Sequence, residues 1–169
     1  MTLVSRYLSL IKFEHTIFAL PFAVMSLLVA SGGRPGWRVV LWVLVAMVGA
    51  RSAAMAFNRL VDRRIDAANP RTTDRHLPTG EVSVTGTAVF VVLSAALLVL
   101  AAWMLNPLCF KLSPVALLVV LGYSYMKRVS PLAHLVLGLG LAIAPVGAWL
   151  AVTGAFAAFP LWLAAAVMF

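Results

Sequence analysis

Apolar and polar positions along this chain fall into long blocks and do not alternate. Residues 13–30, 37–57, 85–105, 108–125 and 132–152 are almost wholly apolar, each close to the roughly 20 residues that cross a ~30 Å hydrocarbon core as a helix. The period-two pattern of a membrane barrel is absent, so the spanning element is the α-helix. Residues 161–169 open a sixth apolar run too short to span at 1.5 Å per residue. Turn signals separate the blocks: 31–36 (Ser-Gly-Gly-Arg-Pro-Gly), Asn106-Pro107, the basic stretch 126–131, and 153–160. Residues 1–12 form an amphipathic lead-in with Tyr7, Leu8, Leu10 and Ile11 on its apolar side. Pro21 inside the first span predicts a kink, and Pro145 a bend in the fifth. Gly138, Gly140 and Gly147 permit close helix contact.

The second span does not stop at Phe57. It runs into Asn58, Asp62 and Asp66, spaced four apart and so stacked on one helical face. Arg51 lies on the same face, seven residues before Asn58. The only long polar segment, 67–84, follows directly. It carries Asn69-Pro70, Arg71, Asp74, Arg75, His76, Pro78 and Thr79-Gly80, and reads as a cap over a site, with room for a short helix. Asp74 is expected to pair with Arg71 or Arg75. Glu14 and His15 cap or position the first helix, and His76 and His134 lack transition-metal spacing.

Composition turns these blocks into a class. Of 169 residues, 63% are hydrophobic and 11% charged, with mean hydropathy +1.04. A soluble domain needs far more polar surface. The expected fold is all-α: a polytopic transmembrane helical bundle of five spans and a partial sixth, one membrane domain over 1–169 with its site loop at about 58–84. The net charge of +8 is explained by the positive-inside bias and not by nucleic acid. Ten basic residues fall at the N-terminus and in the 58–84 and 126–131 regions, counting Arg51; only Arg34, Arg38 and Lys111 fall on the other side. The first side is therefore expected to be cytoplasmic, in a multi-pass inner-membrane protein, and all five carboxylates share it. No cleavable signal peptide is evident, so the first run reads as a retained anchor. Cys109 is the sole cysteine, a packing residue with no disulfide partner.

Two carboxylates and an amide supply hard oxygen ligands suited to Mg²⁺. Arg71, Arg75 and Lys127 are cations suited to a pyrophosphate. An anionic head held this way beside greasy helices fits a lipid diphosphate. The plainer readings are a solvated helix end, with Asp62 and Asp66 paired to Arg59, Arg63 or Arg64, and an Arg51 that snorkels to the interface. A transporter would show internal repeats and polar groups near the bilayer midplane; neither is seen. A structural subunit would need no diphosphate site.

Four motifs occur in order. Asn-x-x-x-Asp-x-x-x-Asp spans 58–66, and Asn69-Pro70-Arg71-Thr72-x-x-Arg75 precedes Leu77-Pro78-Thr79-Gly80. Tyr123-Ser124-Tyr125-Met126-Lys127-Arg128 comes later, and 11–22 reads Ile-Lys-Phe-Glu-His-Thr-Ile-Phe-Ala-Leu-Pro-Phe. Together they resemble the UbiA superfamily of intramembrane aromatic prenyltransferases, and 11–22 resembles its 4-hydroxybenzoate polyprenyltransferase branch and close menaquinone-pathway relatives. The resemblance implies nine helices and transfer of a polyprenyl group from its diphosphate to an aromatic acid of the 4-hydroxybenzoate type in quinone biosynthesis. A naphthoate-type menaquinone precursor, protohaem and chlorophyll-type acceptors are the alternatives within the family. It further implies that Asn58, Asp62 and Asp66 hold Mg²⁺, that Arg71, Arg75 and Lys127 hold the diphosphate, that Tyr123 faces the allylic chain or the developing cation, and that Arg51 is a candidate for the acceptor's carboxylate.

The family's second aspartate motif, after a sixth helix, has no counterpart, since no Asp or Glu follows Glu81. The expectation is an N-terminal fragment of about half the fold, inactive as a transferase by itself.

Overall fold

The computed structural model describes residues 3–10, 19–129 and 133–168. Within them the chain forms seven helices and no strand: α1 (Leu3–Leu10), α2 (Leu20–Ala30), α3 (Trp37–Ala68), α4 (Val84–Leu105), α5 (Pro107–Val129), α6 (Ala133–Thr153) and α7 (Ala158–Met168). Helices α3, α4, α5 and α6 are long and apolar enough to cross a membrane, while α2 and α7 are shorter apolar helices. The all-α bundle expected from the apolar blocks is what forms. The expectations for Lys12, Glu14 and His15, the start of the first span and residues 130–132 lie outside the described residues.

Helix α3 organises the rest. Its 32 residues span about 48 Å at 1.5 Å each, well beyond a ~30 Å hydrocarbon core. With Trp37 at one interface, Asn58 falls near the other, and the turns carrying Asp62 and Asp66 pass beyond it. The helix stops at Ala68 because Asn69, just before Pro70, takes an extended backbone (φ −107°, ψ 119°).

Close approach between helices follows from small residues. A Cβ at Gly49 would sit 2.9 Å from the Leu98 backbone nitrogen, so the face of α3 against α4 admits only hydrogen there. Gly138 gives the same closeness between α6 and Met168 of α7. Helices α2 and α6 are tied by a buried bond, Ser26 Oγ donating to the Pro145 carbonyl at 2.6 Å. In lipid such bonds matter because the alternative is an unsatisfied polar group in hydrocarbon. Apolar side chains such as Val92 and Leu118 point outward, as expected where lipid is the solvent.

The amphipathic lead-in becomes α1, docked on the bundle. Leu10 packs with Ala56, Val82 and Val91, the Tyr7 ring lies 4.9 Å from that of Phe90, and Arg6 Nη1 donates to the Glu81 carbonyl at 3.1 Å.

Pro21 lies in the first turn of α2, where a proline's missing N–H removes no helical bond; residues 11–18, the arm that would precede a kink, lie outside the described residues. Two expectations are corrected. The polar segment contains no helix. It is a series of hydrogen-bonded turns, among them Thr72 N–H to Asn69 O and Thr79 N–H to Arg75 O, and it passes through Gly80 at φ +74°, a conformation that favours glycine. Ser83 then caps α4, its hydroxyl accepting from the Gly86 N–H at 3.0 Å, a contact worth about 1 kcal/mol. Finally, the stretch expected as a loop from Met126 continues α5 to Val129. Lys127 and Arg128 therefore sit in a last helical turn, where cations meet the free carbonyl end of the helix dipole favourably.

Candidate functional site

The column on α3 divides between two neighbours. Asp62 faces α5, where Lys127 Nζ meets its Oδ2 and Arg128 Nη2 donates to its Oδ1 at 2.7 Å. Asp66 faces the polar segment, where Arg75 Nη1 donates to its Oδ1 at 2.6 Å. Both aspartates are buried, at 6% and 5% exposure, so each needs the cation it has. The pairs do not come from Arg59, Arg63 or Arg64, as a solvated helix end would have it. Arg63 donates instead to the Leu60 carbonyl within its own turn. Nor does Asp74 capture Arg75; the more deeply buried Asp66 does.

Asn58, one turn before Asp62, points its amide at Ser124 of α5, with Nδ2 to Oγ 3.5 Å. Ser124 has no exposed surface. Tyr123 lies beneath Lys127, whose Nζ stands 6.0 Å from the ring centroid, and Phe57 meets Tyr125 edge-on at 5.9 Å. One face of α5 thus presents Ser124, Lys127 and Arg128 to one face of α3 carrying Asn58 and Asp62. The spacing of three and four makes this possible, and the continuation of α5 past Met126 brings it about.

Beside Asp66, a cleft of about 300 Å³ is lined by Arg59, Asp66, Arg71, Arg75 and His76, with Leu10 of α1 among its walls. Arg71 is held at its backbone, its N–H donating to Asn69 Oδ1 at 3.0 Å, which leaves its side chain at the cleft. Thr72 Oγ1 donates to the Asp66 carbonyl at 2.9 Å and closes the end of α3. His76 Nε2 stands 3.7 Å from Glu81 Oε2. Arg51, two turns below Asn58, has a buried Nε with no hydrogen-bond partner among the described residues.

The expected site residues therefore gather at one end of the bundle in two adjoining groups. Asn58, Asp62, Lys127 and Tyr123 form one, Asp66, Arg71 and Arg75 the other, with Arg51 deeper. Sequence reasoning missed Arg128 as a direct partner of Asp62, and it missed Ser124. Both were legible in principle as the helical neighbours of Lys127 once α5 is extended by a turn.

The donor set suits Mg²⁺: two carboxylates and an amide oxygen, with no soft ligand. Among the described residues no three His, Cys, Asp or Glu side chains cluster as a self-sufficient metal cage. A Mg²⁺ at Asp62 or Asp66 would complete its shell with phosphate oxygens and water, as this ion commonly does. Both carboxylates are already neutralised by side chains, so binding requires those cations to exchange partners.

Known proteins resemble this chain to different degrees. The sequence profile of the UbiA prenyltransferase family matches residues 19–169. A 4-hydroxybenzoate octaprenyltransferase of Vibrio campbellii is 38% identical over 134 residues, 78% of this chain and 46% of that protein. The chain spans about half the length of the curated relatives it matches. A UbiA homolog from Aeropyrum pernix, solved without ligand, superposes with a TM-score of 0.83 at 36% identity, covering 92% of this chain and 59% of that one. A UbiA homolog from Archaeoglobus fulgidus, solved with DMAPP and Mg²⁺, has the same fold at 22% identity and a TM-score of 0.78, over 96% of this chain and 59% of its own. With the profile running through nearly all the described helices and the aspartate column at their shared end, the chain belongs to the UbiA prenyltransferase family.

Proposed function

We propose that this chain carries the prenyl-diphosphate half of an intramembrane prenyltransferase site, serving transfer of a polyprenyl group to an aromatic acid of the 4-hydroxybenzoate type. One observation carries the reading: two buried aspartates at the end of a membrane-length helix, each held by cations from a different element. A purely structural helix end would leave these groups in water, where such pairs add little.

In this reading Asn58, Asp62 and Asp66 hold Mg²⁺, as the binding of Mg²⁺ and DMAPP by the Archaeoglobus relative supports. The ion, when bound, supplies positive charge to the leaving diphosphate. Lys127 and Arg75 release their aspartates and take phosphate oxygens, with Arg71 joining them from the cleft. The cations thus move from carboxylate to phosphate, and the site keeps its charge balance. As Lys127 leaves the face of Tyr123, that ring becomes available to an allylic chain developing positive charge. Helices α3 and α5 keep water from the prenyl group. Arg51, whose buried Nε has no partner among the described residues, offers a carboxylate partner two turns deeper, where an aromatic acid would sit beside the prenyl chain. The end of the bundle holding these groups faces the cytoplasm of an inner membrane, in keeping with its excess of Lys and Arg.

The test is titration of geranyl diphosphate into the chain in lipid nanodiscs, with and without Mg²⁺. Binding is expected to require Mg²⁺ and to weaken about tenfold or more in Asp62→Asn, the loss of one charge-assisted contact. Binding indifferent to both the ion and Asp62 would sink the reading. The acceptor is tested by mass spectrometry of products formed with 4-hydroxybenzoate and with dihydroxynaphthoate.

A further inference from the structure

The end of the bundle away from the aspartates has a feature that the transferase site does not use. At the start of α3 and the end of α4, Trp37, Arg38, Leu41, Trp42, Met104 and Leu105 line a mostly apolar cleft of about 240 Å³. The Arg38 guanidinium stands 5.8 Å from the centroid of the Trp37 ring. Among the described residues this end carries Arg34, Arg38 and Lys111 and no carboxylate, because Asp62, Asp66, Asp74 and Glu81 all lie at the other end.

We infer that this cleft docks an anionic phospholipid, its phosphate at Arg38 and one acyl chain along Leu41, Trp42 and Met104. Three observations converge on it. Depth is the first: tryptophans at helix ends sit at headgroup level, and Trp37 opens α3 while Trp103, 63% exposed, lies near the end of α4. Arg38 is thereby placed where lipid phosphates are. Geometry is the second. A guanidinium lying near an aromatic ring keeps its N–H groups free at its edge, in the planar fork that fits a phosphate bidentately. Charge is the third: the positive-inside bias puts basic residues at the opposite end, so it does not explain cations here, and no described carboxylate at this end offers Arg38 a partner. An apolar wall beside Arg38, which has no described carboxylate partner, matches an acyl chain joined to a phosphate.

Native mass spectrometry of the chain released from mixed nanodiscs tests this by counting retained lipids. Wild-type chain is expected to retain phosphatidylglycerol over phosphatidylcholine. Arg38→Gln is expected to lower that preference about fivefold, the equivalent of roughly 1 kcal/mol per basic group near an anionic headgroup. Arg38→Lys should keep most of it, and Trp42→Ala should lower retention of both lipids. The basic far end also attracts anionic lipid, so Arg64→Gln serves as the control and should leave the Arg38-dependent fraction intact. An unchanged preference in Arg38→Gln, or equal retention of the two lipids by wild type, would overturn the proposal. Melting temperatures of each variant in one detergent separate lost lipid from lost fold. None of these readouts depends on diphosphate binding, so the transferase reading and this one stand or fall separately.

Discussion

Arg75 and Asp66, nine residues apart, meet at 2.6 Å and turn the polar segment back onto the end of α3. Both side chains line the cleft, with Arg71 beside them. The contact also makes a buried carboxylate tolerable. Arg75→Ala is expected to destabilise the chain by about 1–3 kcal/mol, below the 3–5 kcal/mol of a fully buried pair because Arg75 is one-third exposed. Asp66→Asn combined with Arg75→Ala should cost less than the two single changes summed. Thermal unfolding in detergent across the double-mutant cycle measures the coupling; additive effects would mean that the pair is not formed.

Lys127 has a different expected signature. Asp62 keeps Arg128 when Lys127 is removed, so Lys127→Met should cost little stability. It should weaken diphosphate binding by about tenfold or more, the worth of a charge-assisted contact. Titration calorimetry beside a melting curve separates the two. A large fall in melting temperature with unaltered binding would assign Lys127 to structure alone.

Arg51 is expected to act on the acceptor and not on the diphosphate. Arg51→Met should leave Mg²⁺-dependent binding of geranyl diphosphate unchanged and weaken binding of 4-hydroxybenzoate by roughly tenfold, the loss of a charged hydrogen bond. Equilibrium dialysis with radiolabelled acceptor reads this directly. Equal loss of both ligands would place Arg51 in the packing of α3.

Gly49→Ala tests the closest helix contact. Its Cβ would meet backbone atoms of α4 at 2.9–3.0 Å, and backbone cannot swing aside as a side chain can. The two helices must part, at an expected cost of about 1–3 kcal/mol. Folded yield and melting temperature check it, and a neutral result would show that the contact is looser.

Ser26→Ala removes the donor to the Pro145 carbonyl. The expected loss is about 0.6 kcal/mol, the average for such bonds between membrane helices, and at most about 1.7 kcal/mol. Ser26→Thr, which keeps a hydroxyl, should retain part of it, as melting of the three proteins side by side would show.

The run of apolar blocks was enough to give the all-helical bundle, the positions of α3, α4 and α6 to within a few residues, and the four-residue spacing that stacks Asn58, Asp62 and Asp66. Those properties are local: block length against bilayer thickness, and helical periodicity, are set residue by residue. The partners of the column are not local. Asp62 and Asp66 share a face in the sequence, yet one turn of separation aims them at different elements, α5 and the polar segment. Lys127 and Arg128 read as loop cations because Met126–Arg128 interrupts an apolar run. Docking against α3 supplies Asp62 and the Val61 carbonyl as partners, and with them the last turn of α5 is stable as helix. Sequence alone thus determined that a membrane helix would end in two carboxylates beside an excess of cations. Only the tertiary structure decided which cation each carboxylate takes, because a buried charge is neutralised by whatever packing brings within reach, 65 residues away for Asp62 and 9 for Asp66.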